Sequence, residues 1–188
     1  EELNRGVLPK DVKIRPFYDR SDLVKLTTDT VEANLLRGMI LVFIVLVFFL
    51  VSWRAALIVT ATIPLSLLFA FIFLHARNVP ANLLSIGAID FGILVDAPIV
   101  VLENIFRHLS RRESGSVART FIVRGLRDSA RPVLFSTLII LVAFIPLFTM
   151  EGVPGKIFAP MSITYGFALA GALIFAMIFV PVLTDISA

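Results

Sequence analysis

Residues 82–104 form a stretch that is long and apolar enough to cross a lipid bilayer, yet it carries three carboxylates. These are Asp90, Asp96 and Glu103. A charged side chain at the centre of a membrane costs several kcal/mol, so membrane helices seldom keep one without a use. A buried helix of a soluble protein could also hold paired acids. However, four other apolar segments of spanning length surround this stretch and favour a membrane protein.

The spacing of two of these acids places them on one face of a helix. Asp96 and Glu103 are seven residues apart, so they differ by only about 20° around the helix and lie roughly 10 Å apart along its axis. Three small residues fall on or near the same stripe, and small residues let a neighbouring helix approach closely. They are Ser85, Ala88 and Gly92. We therefore expect Asp96 and Glu103 to face protein rather than lipid, with Asp96 near the middle of the membrane.

Two further residues define the surroundings of Asp96. Asp90 lies six residues before it, about 120° away around the helix, so it faces a different neighbour or a water-filled gap. Pro98 follows Asp96 by two residues and has no N–H to donate to the carbonyl of Leu94. We expect a kink or a loosened turn beside Asp96, which a membrane helix tolerates where the freed backbone groups face protein or water.

The composition supports a helical membrane protein. Of the 188 residues, 58% are hydrophobic, and the mean hydropathy is +0.95, whereas a soluble domain is about 45–50% apolar. The apolar runs are unbroken, unlike the alternating strands of a membrane β-barrel. The chain has no cysteine, which excludes disulfides and thiolate metal sites. It begins at Glu1 rather than at a methionine, so we expect it to be a piece of a larger protein.

The apolar segments and the polar loops between them predict one soluble segment and five spans. Residues 1–33 are interpreted as the end of a water-soluble domain, with a strand at residues 10–14 and a linking helix that starts at Ser21. The transmembrane part covers residues 34–188. Its predicted spans are residues 35–53, 55–74, 81–106, 132–150 and 161–183, and its longer predicted loops are residues 107–131 and 151–160.

The placement of the arginines predicts the orientation. The loop at residues 107–131 holds seven arginines, so by the positive-inside rule it is cytoplasmic, and Arg54 lies on the same side. Residues 1–33 would then lie outside, because large folded domains translocate largely regardless of charge. Within the loop, apolar and basic residues at helical spacing predict an amphipathic helix on the membrane surface. They are Val117, Phe121 and Leu126 with Arg119, Arg124 and Arg127.

Enzymatic and metal-binding interpretations fit these residues less well. An intramembrane aspartic protease needs two carboxylates in close contact, but Asp90 and Asp96 lie on different faces and about 9 Å apart along the axis. The sequence Asp-Phe-Gly from Asp90 to Gly92 lacks the other motifs of a kinase. The two histidines and four methionines are scattered, which disfavours a metal path built from them. We therefore expect no enzyme activity and no cofactor.

Residues 87–104, with the sequence GAIDFGILVDAPIVVLEN, resemble the fourth transmembrane helix of the resistance–nodulation–cell division (RND) efflux pumps of the heavy-metal branch. Other stretches agree with that family in the same order. They are YDRSDLV (18–24), ANLLRGMILVFIVLVFFL (33–50), RAALIVTATIPLSLL (54–68), RPVLFSTLIILVAFIPLF (131–148) and PVLTD (181–185). The resemblance covers essentially the whole chain.

The resemblance implies a five-span helical bundle that is a fragment of an RND transmembrane domain, similar to its second to sixth helices. Residues 1–33 then correspond to the end of the periplasmic porter domain and a linking helix, with residues 1–20 as the tail of the porter domain. The resemblance also implies that Asp96 is the central proton acceptor, with Asp90 and Glu103 as accessory carboxylates of the proton relay. An aspartate at position 90 followed by Phe-Gly is similar to the pumps for divalent zinc, cobalt, cadmium or nickel.

The implied whole is a proton-driven exporter of metal cations in the bacterial inner membrane. Its partners would be protons, metal cations, the lipid bilayer and the rest of a homotrimeric pump with its periplasmic adaptor and outer-membrane channel, but no nucleic acid. Ala97 and Pro98 depart from the family, which usually has Gly-Ala or Ala-Ala after the central aspartate. Two alternatives stay open: a drug-type RND exporter, and a non-transporting remnant or scaffold built from the same helices.

Overall fold

The computed structural model of the chain describes residues 21–50, 52–79, 91–111 and 117–187. Within these ranges the regular structure is entirely helical. The helices are α1 (Ser21–Leu50), α2 (Trp53–Ala76), α3 (Phe91–Leu109), α4 (Ala118–Ala143), α5 (Ile145–Phe148) and α6 (Gly152–Ser187). The prediction of an all-α membrane protein is confirmed. The predicted strand at residues 10–14 and the carboxylate of Asp90 lie outside the described residues.

Four segments in the described part of the chain are long and apolar enough to cross a membrane. They are Val24–Leu50, Trp53–Ala76, Ala118–Phe148 and Gly152–Ile186. The predicted span at residues 81–106 begins outside the described residues. Its described part lies in α3, a helix of 19 residues that carries Asp96, Glu103 and Arg107 and continues past the span to Leu109. The chain is therefore a multi-pass helical membrane protein.

The most extensive helix contact joins α2 and α6, where buried residues recur every three or four positions. On α2 these residues are Ala56, Val59, Ile63, Ser66 and Ala70, and on α6 they are Ala168, Ala172, Ala176 and Val180. Six of these nine residues are alanine or serine, and such small side chains let helix backbones approach closely in a membrane, where apolar burial gives no advantage over contact with lipid. The buried hydroxyl of Ser66 donates to the carbonyl of Thr62, so it is satisfied within its own helix.

The turn between the first two helices lies earlier than predicted. Trp53 begins α2 instead of ending the first span at residues 35–53. Ser52 is the N-cap of α2, and its hydroxyl accepts the amide N–H of Ala55 at 3.5 Å. A serine favours this boundary because its oxygen satisfies an N–H that has no partner within the helix. In addition, α1 is continuous from Ser21, so the predicted linking helix and the first span form a single helix.

The arginine-rich segment is largely helical where a loop was predicted. Helix α3 continues to Leu109, and α4 begins at Ala118 and runs through Pro132. The predicted amphipathic helix is therefore not separate from the next span, because residues 118–131 form the first turns of α4, which packs against α3. That residues 107–131 lie outside the bilayer stays a prediction. The face that α4 buries here consists of Ile122, Gly125 and Ser129, whereas Arg119, Arg124 and Arg127 are exposed.

Proline and glycine set the ends of the last helices. Helix α4 ends at Ala143, and α5 adds a single turn that has Pro146 in its first positions, where a missing N–H is tolerated. Helix α6 begins at Gly152, whose φ of +72° is readily adopted only by glycine. The predicted loop at residues 151–160 is therefore wrong, since most of it is the start of α6. Both final helices begin well before positions 132 and 161, where the predicted spans begin.

Candidate functional site

Helix α3 has one buried face and one exposed face. The buried residues are Leu94, Val95, Ala97, Pro98, Val101, Leu102 and Ile105. On the opposite side, exposed residues follow one another at intervals of three or four positions. They are Gly92, Asp96, Val100, Glu103 and Arg107, and we call this stripe the acid face. Asp96 and Glu103 therefore share one side of the helix, as their seven-residue spacing predicts.

The acid face is not the face by which α3 packs into the bundle. Asp96 and Glu103 are both exposed, so the described helices of this chain do not bury them. That these side chains face protein in the whole protein stays a prediction. Gly92, which was expected to admit a neighbouring helix, is exposed as well. Ser85 and Ala88 lie outside the described residues. The contacts with α2, α4 and α6 instead involve the apolar side of α3, which leaves Asp96 exposed and Glu103 beside a space between α3 and the end of α1.

Two contacts hold the end of α3 against α4. A Cβ added to Gly125 would lie 2.7 Å from the Cα of Ile105 and 2.9 Å from the carbonyl oxygen of Asn104, so the two backbones are in direct contact. One turn further along each helix, Nε2 of His108 and Oδ2 of Asp128 lie 2.9 Å apart. Sequence reasoning missed both contacts. A glycine within a helical segment was the signal that could have indicated the first one.

A cavity separates α3 from the end of α1 beside Glu103. Its volume is about 550 Å³, and apart from Glu103 its walls are apolar. The apolar residues that line it come from α1 and α3, and they are Val45, Leu46, Phe49 and Leu50 of α1 with Ile99 and Phe106 of α3. At the start of α3 the two helices touch, since a Cβ added to Gly38 would lie 2.5 Å from the Cε2 atom of Phe91. Helix α1 thus contacts α3 at Phe91 and leaves open space at Glu103.

Pro98 lies within α3, and the helix continues past it to Leu109. Its side chain is fully buried, and Ala97 beside it is buried too. The two residues that depart from the family sequence therefore belong to the core side of the helix and not to the acid face. The loosened turn expected beside Asp96 stays a prediction.

The chemistry of the acid face is that of carboxylates held on a membrane helix. Such a group can take up a proton from one side of the membrane and release it to the other if its surroundings switch. Among the described residues, no group of three or more His, Asp or Glu side chains is close enough together to hold a metal ion. The third acid of the predicted relay, Asp90, lies outside the part of the chain that the structure describes.

Comparisons with known proteins extend this description. The model of the AcrB/AcrD/AcrF family matches residues 1–186. The chain is 40% identical over 186 residues to the cobalt-zinc-cadmium resistance protein CzcA of Cupriavidus metallidurans, covering 95% of this chain and 17% of CzcA. It is 38% identical over 193 residues to the nickel-cobalt-cadmium resistance protein NccA of Alcaligenes xylosoxydans xylosoxydans, covering 99% of this chain and 18% of NccA. The crystal structure of a heavy metal efflux pump is similar to this chain, with a TM-score of 0.82 and 49% sequence identity. The match covers 96% of this chain and 18% of the pump chain.

The spanning helices and the acid-bearing α3 define a multi-pass membrane protein that keeps carboxylates on one of its helices. The chain belongs to the AcrB/AcrD/AcrF family. The resemblance to heavy-metal RND efflux pumps is thereby confirmed, and the relatives reported above are resistance and efflux proteins rather than enzymes. The chain spans less than a fifth of the length of these relatives.

Proposed function

We propose that this chain is the transmembrane part of a proton-driven efflux pump that exports divalent heavy-metal cations by proton/cation antiport. Asp96 is the central proton acceptor, and Asp90 and Glu103 are accessory carboxylates. The observation that carries the proposal is the acid face, where Asp96 and Glu103 lie along one side of a helix whose other side is buried in a membrane bundle. Ionisable residues within membrane helices are costly and mark proton or ion pathways.

The names of the relatives favour metal cations as the cargo. CzcA is named for resistance to cobalt, zinc and cadmium, and NccA for resistance to nickel, cobalt and cadmium. We propose the same class of divalent cations for the pump to which this chain belongs. That pump would be a homotrimer of the bacterial inner membrane, working with a periplasmic adaptor and an outer-membrane channel. Residues 1–33 would comprise the end of its periplasmic porter domain and the linking helix that continues into the first span.

The test replaces the acids one at a time in the full-length pump. Asp96→Asn keeps the size and hydrogen-bonding capacity of the side chain but removes its titratable proton. It should abolish metal resistance of the cells while the amount of protein and its assembly stay normal. Glu103→Gln should weaken resistance less, because Glu103 lies nearer the end of the helix, where water can substitute. Asp90→Asn should also weaken it less, because Asp90 is predicted to face elsewhere.

Asp29→Asn is the matched control, because Asp29 is an exposed aspartate of α1 that lies off the acid face. It should leave resistance unchanged when values are normalised to protein level. If Asp96→Asn keeps resistance while Glu103→Gln loses it, Asp96 is not the central acceptor. If neither variant loses resistance to metals, these acids do not drive metal export. Loss of resistance to organic drugs alone would favour the drug-type exporter.

We also propose that the arginine-rich end of the bundle is cytoplasmic. Arg54 at the start of α2 and Arg119 at the start of α4 each share a cavity with the end of α6, so they lie at the same end of the bundle. Val117 and Val153 are 68% and 71% exposed near opposite ends. A cysteine at Val117 should react with an impermeant thiol reagent only from the cytoplasm, and one at Val153 only from outside. The reverse labelling would reject this orientation.

A further inference from the structure

A shallow groove lies between the start of α2 and the end of α6, away from the acid face. Its volume is about 250 Å³, and it is lined by Trp53, Arg54, Leu57, Ile58, Ala61 and Leu183. Trp53 is 61% exposed and Leu57 is 51% exposed, so the groove opens on the outer surface of the bundle. Both helices are long enough to cross a membrane, and the groove is at their ends. It therefore lies where hydrocarbon meets the lipid headgroups, the depth at which tryptophan is enriched.

The groove carries a single charged group, the guanidinium of Arg54. This group lies 5.8 Å from the centroid of the Trp53 ring, within the range of a cation–π contact. Among the described residues, no carboxylate forms an ion pair with it. Asp185 lines a separate cavity together with Arg119 instead. The groove thus combines an apolar channel with a positive charge that has no carboxylate partner in the described part of the chain.

A phospholipid matches both parts of this groove. A guanidinium binds phosphate oxygens through two parallel N–H donors, and an acyl chain fits the apolar wall formed by Leu57, Ala61 and Leu183. Other exposed arginines lie at the same end of the bundle, among them Arg119. Their charge favours an anionic headgroup over a zwitterionic one, since a basic residue near an anionic membrane surface attracts it.

We propose that this groove is a binding site for an anionic phospholipid, with the headgroup phosphate on Arg54 and one acyl chain between α2 and α6. The site is separate from Asp96 and Glu103, so the proposal stands or falls independently of the proton relay. A basic residue near the surface contributes about fivefold in lipid binding. We therefore expect phosphatidylglycerol to be preferred over phosphatidylcholine by roughly that factor.

The test uses the fluorescence of Trp53, the one tryptophan of the chain. The full-length protein is placed in phosphatidylcholine nanodiscs that contain increasing fractions of brominated phosphatidylglycerol or brominated phosphatidylcholine. Subtracting the signal of the Trp53→Phe variant isolates quenching at this position. Brominated phosphatidylglycerol should quench Trp53 at about fivefold lower mole fraction than brominated phosphatidylcholine. Equal quenching by the two lipids in the unmodified protein would overturn the proposal.

Three variants assign the effect to the groove. Arg54→Gln should equalise the two lipids, whereas Arg54→Lys, which keeps the charge, should retain a preference. Ala61→Phe should reduce quenching by both lipids because it fills the apolar part. Arg77→Gln, at the opposite end of α2, is the matched control and should leave the preference unchanged. A preference that survives Arg54→Gln would overturn the proposal. So would loss of the preference on addition of inorganic phosphate, which would indicate a site for a free anion.

Discussion

Replacing Gly125 with alanine measures how tightly α4 holds the acid-bearing helix. The added Cβ would lie 2.7 Å from the Cα of Ile105 and 2.9 Å from the carbonyl oxygen of Asn104. Two carbon atoms pack best at about 3.5–4.0 Å, so the two helices would have to separate by roughly 1 Å. The atoms in the way belong to the backbone of a helix. They cannot move aside as the end of a flexible side chain can.

The expected loss of stability follows from that separation. Overpacking a close contact costs about 1–3 kcal/mol, and a contact with backbone falls in the upper part of this range. The better helix propensity of alanine offsets about 1 kcal/mol. We therefore expect Gly125→Ala to lower the free energy of unfolding by about 1–2 kcal/mol. Gly166→Ala is the matched control, because the nearest atom to its added Cβ is Cδ2 of Leu141 at 3.9 Å.

The assay is unfolding of the purified protein in mixed micelles with increasing dodecyl sulfate, followed by the loss of helical circular dichroism. Gly125→Ala should unfold at a lower detergent fraction than the unmodified protein, and Gly166→Ala at the same or a higher one. Equal midpoints for the two variants would refute the idea that α3 and α4 are in backbone contact at Gly125.

Two further contacts of α3 give predictions of different size. Gly38→Ala should destabilise the protein by about 0–2 kcal/mol, because the new methyl group displaces the ring of Phe91 while the better helix propensity of alanine offsets about 1 kcal/mol. Adding Phe91→Leu should restore most of any loss. Failure of this rescue would show that the ring is not the obstacle. His108 and Asp128 are partly exposed, so a double-mutant cycle with His108→Gln and Asp128→Asn should give a coupling energy below about 1 kcal/mol. A value above about 2 kcal/mol would contradict this assignment as a weak surface pair.

The helical class and the shared face of the acids were predictable because they depend on backbone properties. In hydrocarbon every backbone N–H and C=O must be satisfied internally, so unbroken apolar runs of spanning length become helices. The period of the helix then places Asp96 and Glu103 on one side whatever surrounds them. The resemblance carried by residues 87–104 added the family, which the match over residues 1–186 shows.

The ends of the helices, and the side of α3 that packs in the bundle, depend on contacts between helices. The residue pattern alone does not specify these contacts. The arginines suggested a separate helix on the membrane surface, but residues 118–131 belong to α4, which continues to Ala143 and lies in close contact with α3 at Gly125. The small residue Gly92 suggested that the acid face packs against a helix. The opposite stripe is entirely apolar and includes Leu102 and Ile105, so that stripe is the one that packs against the other helices.

Helix α3 has an apolar side that packs in the bundle and an opposite side that carries two carboxylates. A helix whose free side faces lipid would not carry carboxylates there. Its buried side is held by contacts such as that at Gly125, so its place in the bundle is set by α2, α4 and α6. Its other side carries Asp96 and Glu103, and each would cost several kcal/mol against hydrocarbon. Both side chains are exposed, so the described helices do not shield them from the surroundings of the bundle. In the membrane, protein or water must therefore lie against the acid face, and this is also the condition under which these carboxylates could exchange protons.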